Sequence, residues 1–188
     1  MNLTIRYCIL ITILLSGCNK SQTESIDDYT GSAIWPLAVG NSWTYEVLGS
    51  EGGTYTISIA GTMKRNGNIW YYLNENNPEA AMFRNDEDGM WNLVKGEEIL
   101  LWKYPAQNGE IYNEEWEGDN MTSFSICART DITYMQYDNC YFYKFFYGQN
   151  NSTYNSYYFK PEIGLIGQAY FENEVVVYMD KLISYNLE

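Results

Sequence analysis

The chain has 188 residues, with 11 basic against 24 acidic side chains, a formal net charge of −13 at pH 7, and no histidine. So acidic a surface repels phosphate backbones, which excludes nucleic-acid binding by counterion release and disfavours direct attraction to anionic lipid head groups. The missing histidine excludes Ser-His-Asp and Cys-His nucleophilic schemes and histidine-ligated zinc, copper or iron; no metal and no cofactor is expected.

Arg6 opens a positively charged start, and Ile9 to Leu15 forms an apolar run too short for the ~20 residues that a bilayer span needs. Leu15-Ser16-Gly17-Cys18 follows at once: an aliphatic residue, two small residues that fit a peptidase cleft, then a cysteine whose thiol can be acylated. Residues 1–17 therefore read as a lipoprotein signal peptide and Cys18 as the lipidated first residue of the mature chain. Acyl chains at ~0.8 kcal/mol per buried methylene make such attachment effectively permanent. The membrane is then a partner through the lipid on Cys18, and the expected location is the bacterial cell envelope, with the outer membrane foremost. Loss of Arg6 with the signal leaves the mature chain more acidic still. Residues 18–33 are polar, small and unpatterned, which describes a flexible tether; residues 34–188 read as a single β-rich domain.

From Trp35 onward, aromatic and β-branched residues recur in short runs separated by Gly, Asn, Asp or Pro. This spacing predicts an all-β, antiparallel, strongly curved sheet forming a sandwich or partly open barrel, with little helix. Ser42 to Leu48 places Trp43, Tyr45 and Val47 on one face; the next run alternates Tyr55, Ile57 and Ile59 against Thr54, Thr56 and Ser58, as a hairpin with one buried face would. Asn66-Gly67 turns the chain into Ile69 to Leu73, supplying the positive φ angles of a tight turn. A second hairpin runs from Ala81 to Arg84, through Asp86-Glu87-Asp88-Gly89, to Met90 to Val94. Further strands are expected at Glu98 to Tyr104, Ile111 to Trp116, Met121 to Thr130, Asn139 to Tyr147, Tyr157 to Lys160, Leu165 to Phe171 and Val175 to Leu187.

Pro36-Leu37-Ala38-Val39-Gly40-Asn41-Ser42-Trp43 is echoed by Pro105-Ala106-Gln107-Asn108-Gly109-Glu110-Ile111-Tyr112: Pro, three residues, Gly, two residues, aromatic. Each predicts a Pro-Gly turn feeding a strand whose aromatic points inward. The stretch from Trp35 to Tyr45 also resembles the opening of secreted lipoproteins of Bacteroidota, which begin their domain with Pro-Leu-x-x-Gly-Asn-x-Trp-x-Tyr. Gly89-Met90-Trp91, Leu101 to Tyr112, and Tyr158 to Ile166 are similar to later parts of the same proteins. The resemblance implies architecture, and it brings no catalytic residue.

Three constellations carry possible chemistry. Asp86-Glu87-Asp88-Gly89 has carboxylates for calcium, but an Asp-Gly hairpin turn accounts for it already. Glu114, Glu115, Glu117 and Asp119 surround Trp116, as the paired carboxylates of a glycosidase surround a sugar, although alternation fits a solvated strand face. The region from Tyr134 to Phe159 is dense in aromatics, and consecutive strand residues point to opposite faces, so some must reach a second layer or a surface. Tyr141, Tyr143, Phe145, Tyr157 and Tyr158 are the candidate ligand face, able to stack on sugars or meet a partner protein. The functional expectation is a non-catalytic binding or interaction module for a glycan, apolar ligand or partner protein. The alternative is a carboxylate-type hydrolase acting on extracellular carbohydrate. Cys127 and Cys140, on neighbouring predicted strands in an oxidising compartment, are expected to form a disulfide worth roughly 3 kcal/mol.

Overall fold

A computed structural model describes residues 31–49, 52–112, 123–147 and 152–188. The proposed signal peptide, nearly all of the tether and the carboxylates from Glu114 to Asp119 lie outside the described residues. Among the described residues thirteen strands form two antiparallel sheets: β1 (Ser42–Leu48), β2 (Thr54–Ser58), β3 (Gly61–Arg65), β4 (Asn68–Tyr72), β5 (Met82–Asp86), β6 (Gly89–Val94), β7 (Glu97–Lys103), β8 (Glu110–Tyr112), β9 (Ser123–Tyr134), β10 (Tyr137–Tyr147), β11 (Thr153–Lys160), β12 (Gly164–Glu172) and β13 (Val175–Asn186). The larger sheet has the order β2-β1-β13-β12-β11-β10-β9-β8 and the smaller the order β3-β4-β5-β6-β7. Its edge strands β2 and β8 do not pair, so the large sheet is not a closed barrel. One 3-10 turn, Pro78–Ala80, is the only helical element among the described residues.

The expected all-β class holds, and most strands fall where the alternation placed them. Sequence reading missed β3, because Gly61-Thr62-Met63-Lys64-Arg65 shows one apolar side chain in five. The strand forms because the Asn66-Gly67 turn, with φ of 51° and 83°, folds it back on β4 in unbroken register from Gly61↔Tyr72 to Arg65↔Asn68. Here the chain leaves the large sheet, and it returns only at β8.

The core lies between the sheets. Trp43, Tyr45, Tyr143, Phe159, Ile166 and Leu182 come from the large sheet, while Met90 and Trp102 come from the small one; all are buried. Trp102 sits at the centre, its ring centroid 4.5 Å from that of Tyr157, 5.3 Å from Phe159 and 5.4 Å from Tyr143.

The two echoed segments adopt the same local structure. Asn41 N donates to Ala38 O at 3.1 Å and Glu110 N to Gln107 O at 3.1 Å, closing one turn in each. Gly40 (φ 96°) and Gly109 (φ 76°) hold the left-handed position, and their amides reach neighbouring backbone at Ile59 O and Cys127 O. The aromatic three residues on points inward both times: Trp43 Nε1 donates to Ile163 O at 2.6 Å, and Tyr112 Oη donates to Leu101 O at 2.9 Å.

The opening motif is likewise a clamp. Asn41 is 1% exposed; its Nδ2 donates to Pro36 O at 3.0 Å and its Oδ1 accepts from Glu188 N at 2.9 Å. Tyr45 Oη donates to Leu165 O at 2.9 Å, so β1 reaches past β13 to grip the start of β12. There Gly164 (φ 105°) lies flat against the Trp35 indole, where an added Cβ would collide.

The expected disulfide is absent: Cys127 and Cys140 are both free and buried. The β9–β10 register explains why, since Cys127 pairs with Tyr143 and Cys140 with Ile132. Cys140 and Tyr143 lie three residues apart along β10, or ~10 Å at ~3.3 Å per residue, beyond the ~7 Å Cα limit for a bridge. Burial pushes the Cys127 thiol up to about 11 and raises that of Cys140, so neither is a ready nucleophile. In the native mature protein both thiols are therefore expected to resist alkylation, and without any reductant both are expected to react once it is unfolded in guanidinium. Mass spectrometry showing no adduct after unfolding would restore the bridge.

Candidate functional site

The five aromatics expected to share a ligand face are divided between the two faces of the large sheet. Tyr141, Tyr143, Phe145 and Tyr157 follow the inward phase. Tyr143 is 0% exposed and donates its hydroxyl to Lys103 O at 2.6 Å, which removes it from any open surface. Tyr141 packs edge-on against Tyr104 at 5.2 Å, and Tyr157 lies against Trp102. Phe145 shares its level with Ser125 and Asn155. Tyr158 takes the opposite phase, stacked on Tyr134 at 3.8 Å and on Phe142 at 4.8 Å. Alternation at period two forces this split, and which phase is inward depends on where the small sheet docks.

Farther along the same inner face lies a group that the sequence reading did not single out. The residues Tyr178, Asp180 and Leu182 of β13 alternate in one phase, and Leu182 belongs to the core. Register sets Asp180 beside Val47 of β1 and Gln168 of β12, with Tyr170 beside Tyr178 one level farther out. Asp180 is 0% exposed. Its Oδ2 accepts from Tyr55 Oη, from Tyr178 Oη at 2.7 Å and from Gln168 Nε2 at 3.0 Å, while Oδ1 is buried without a hydrogen-bond partner. Gln168 Nε2 also reaches Tyr55 Oη at 3.4 Å. Tyr55 is braced from beneath by Tyr45, whose ring stacks at 5.2 Å. Burial first, and then the bond to Asp180, raises the pKa of both Tyr55 and Tyr178, so both hydroxyls keep their protons and remain donors to the carboxylate. Around the buried acid, Tyr55, Gln168, Tyr170 and Tyr178 are half-buried and retain a solvent-facing part.

The signal that could have found this group is a charged residue in the inward phase of an alternating strand. In Tyr178-Met179-Asp180-Lys181-Leu182 the aspartate shares the phase of Leu182, a position that normally takes an apolar side chain.

The outer face of the small sheet holds a second, structural cluster. Arg84 lies between Trp70 and Trp91, its guanidinium carbon 5.3 Å and 4.9 Å from their ring centroids, and it pairs with Asp86 at 2.5 Å and Glu98 at 2.9 Å. Burial would raise the Asp86 carboxyl, but hydrogen bonds from Arg84, Trp91 Nε1 and the Asp88 amide outweigh it and hold the group below the usual carboxylate range. The aspartate turn is thus occupied in closing its own hairpin. Beside it, a cavity of about 310 Å³ is lined by Arg65, Asn66, Glu79, Met82, Leu93 and Lys95.

By sequence, the chain matches no protein-family profile and no curated protein. Among solved structures it is similar to a protein of Bacteroides fragilis described as exported and as having a YmcC-like fold: 9% identity, 84% of this chain and 100% of that one, TM-score 0.43. It is also similar to a protein described as a lipoprotein of Parabacteroides distasonis, at 9% identity over 82% of this chain and 99% of that one, TM-score 0.39. At these scores the likeness is remote and assigns neither a family nor an activity.

Proposed function

We propose that the protein is a lipoprotein of the bacterial cell envelope, held at a membrane by Cys18, whose β domain binds a saccharide without catalysis through the Asp180 end of the inner sheet face. The anchoring rests on Leu15-Ser16-Gly17-Cys18 behind a short apolar run, on the polar residues that follow, and on the resemblance of the Trp35 to Tyr45 motif to secreted lipoproteins of Bacteroidota. The observation that carries the binding role is the half-buried set Tyr55, Gln168, Tyr170 and Tyr178 around a buried carboxylate. Rings that can stack on a sugar sit there beside hydrogen-bonding groups whose geometry is already fixed, the combination that saccharide recognition uses. A carboxylate hydrolase would need two carboxyls about 5 to 9 Å apart across the sugar. The groups gathered on Asp180 are instead two phenols and an amide.

Two measurements test the proposal. Membrane fractions should retain the native chain and lose a Cys18→Ala variant; retention of the variant would remove the anchor. A glycan array probed with the mature chain in mild detergent should give saccharide hits that Tyr178→Ala weakens by about tenfold or more, a loss of ~1.4 kcal/mol. Hits that survive this substitution unchanged would move the site elsewhere, and no hits would end the saccharide reading.

A further inference from the structure

Resting on that reading, we infer that the Asp180 cluster takes the protonated amino group of an amine-bearing saccharide. Tyr55 and Tyr178 each have one hydroxyl proton, and both are given to Asp180 Oδ2; Gln168 has two amide protons, directed to Asp180 Oδ2 and Tyr55 Oη. The donors of Tyr55, Tyr178 and Gln168 therefore turn inward, and the hydroxyl of the neighbouring Tyr170 is given to Glu172 Oε1 at 2.9 Å. What remains to be offered outward is lone pairs on Tyr55 Oη, Tyr178 Oη and Gln168 Oε1, backed by the unpartnered Asp180 Oδ1. A surface of acceptors alone cannot satisfy a ligand acceptor and is complementary to a ligand rich in donors.

Charge narrows the class further. A buried carboxylate is ordinarily paired with a cation. Among the described residues no ion pair reaches Asp180: the pairs are Arg65 with Glu79, Arg84 with Asp86 and Glu98, Lys103 with Glu110, and Lys181 with Glu46. Lys181 is the next residue after Asp180, but strand alternation sends it to the opposite face, where it meets Glu46 at 2.8 Å. Asp180 thus holds three neutral donors and no counter-charge. An ammonium group supplies both the charge and the missing donors, and a neutral hydroxyl supplies only a donor. Asp180 acts through the hydroxyls and amide that it orients, while Tyr55, Tyr178 and Gln168 are the groups placed to touch the ligand.

The test uses glucosamine oligomers and their N-acetylated counterparts, which share a sugar backbone and differ in the amine, titrated calorimetrically into the mature chain in mild detergent. The glucosamine oligomer is expected to bind at least about tenfold tighter than the N-acetylated one. Asp180→Asn should erase that preference, and Tyr178→Phe, which keeps the ring, should reduce it. Because an acidic protein attracts any cation, Glu87→Gln removes one exposed charge far from the cluster in sequence and should leave the preference intact. If Glu87→Gln and Asp180→Asn lower it equally, the effect is the general field of the protein and the proposal fails. Tighter or equal binding of the N-acetylated oligomer also overturns the amine while leaving the saccharide reading standing, and the wild-type comparison decides this even if Asp180→Asn does not fold. Absence of binding by either oligomer overturns the amine site, and a glycan array that then shows other saccharide hits separates that failure from failure of the broader reading.

Discussion

Trp43→Ala is expected to lower the stability of the domain by about 3–5 kcal/mol, the range for emptying a buried tryptophan site. Trp43 is 0% exposed, packs edge-on against Trp35 at 5.2 Å and donates its indole N–H to Ile163 O at 2.6 Å. It therefore joins two stretches distant in sequence: the Trp35 entry that leads into β1, and the turn between β11 and β12. Its removal would leave a cavity beside Trp35, which has little room to collapse because Phe83 and Phe159 hold it at 6.1 and 6.2 Å. Urea unfolding followed by tryptophan fluorescence or circular dichroism measures the change. Trp43→Phe, which keeps much of the packing and loses the hydrogen bond, should fall between the wild type and Trp43→Ala. A change below about 1 kcal/mol, typical of surface positions, would show that the entry motif is not part of the core.

Tyr143→Ala should cost a comparable amount, about 3–5 kcal/mol, whereas Tyr143→Phe should cost only about 1–3 kcal/mol, the penalty for leaving the part-buried Lys103 carbonyl without its donor. The contrast arises because Tyr143 does two things. Its ring fills the space beside Trp102, Tyr112 and Phe159, and its hydroxyl ties β10 of the large sheet to β7 of the small one at 2.6 Å. Tyr158→Ala, on the opposite face and stacked on Tyr134 and Phe142, is expected to be milder than Tyr143→Ala, since the site is half-open to solvent. Equal losses at both positions in the same urea assay would contradict the assignment of faces.

These two residues mark the boundary between what was legible in the sequence and what was not. Trp43 could be placed from local pattern alone. A Gly-Asn turn feeds a strand in which Trp43, Tyr45 and Val47 share a phase, and period-two alternation requires no distant contact to be read. The same holds for the Asn66-Gly67 and Asp86 to Gly89 hairpins, whose turn chemistry acts within four residues, and for the matched turns at Gly40 and Gly109. Strand β3 escaped because its own side chains carry almost no apolar signal, and its place comes from pairing with β4.

Tyr143 could not be placed in the same way. Alternation says that Tyr143 and Phe142 face opposite ways, but not which of them faces a second sheet. The missing disulfide has the same origin: adjacency of β9 and β10 was readable, but their register, shifted by bulges between Tyr137 and Tyr143, was not. The candidate site was hidden for a related reason. Tyr55, Gln168, Tyr178 and Asp180 come from three strands, and β13 pairs with β1 from the far end of the chain. The sequence by itself determined the strand-rich class, most strand positions and the turns, because each depends on neighbours within a few residues. Only the tertiary structure decided which face is inward, how far the cysteines stand apart and that a buried carboxylate gathers two tyrosines and a glutamine, because strand register and sheet-on-sheet contact are set by packing that no local pattern encodes, between segments 40 residues apart at Tyr143 and more than a hundred apart at Asp180.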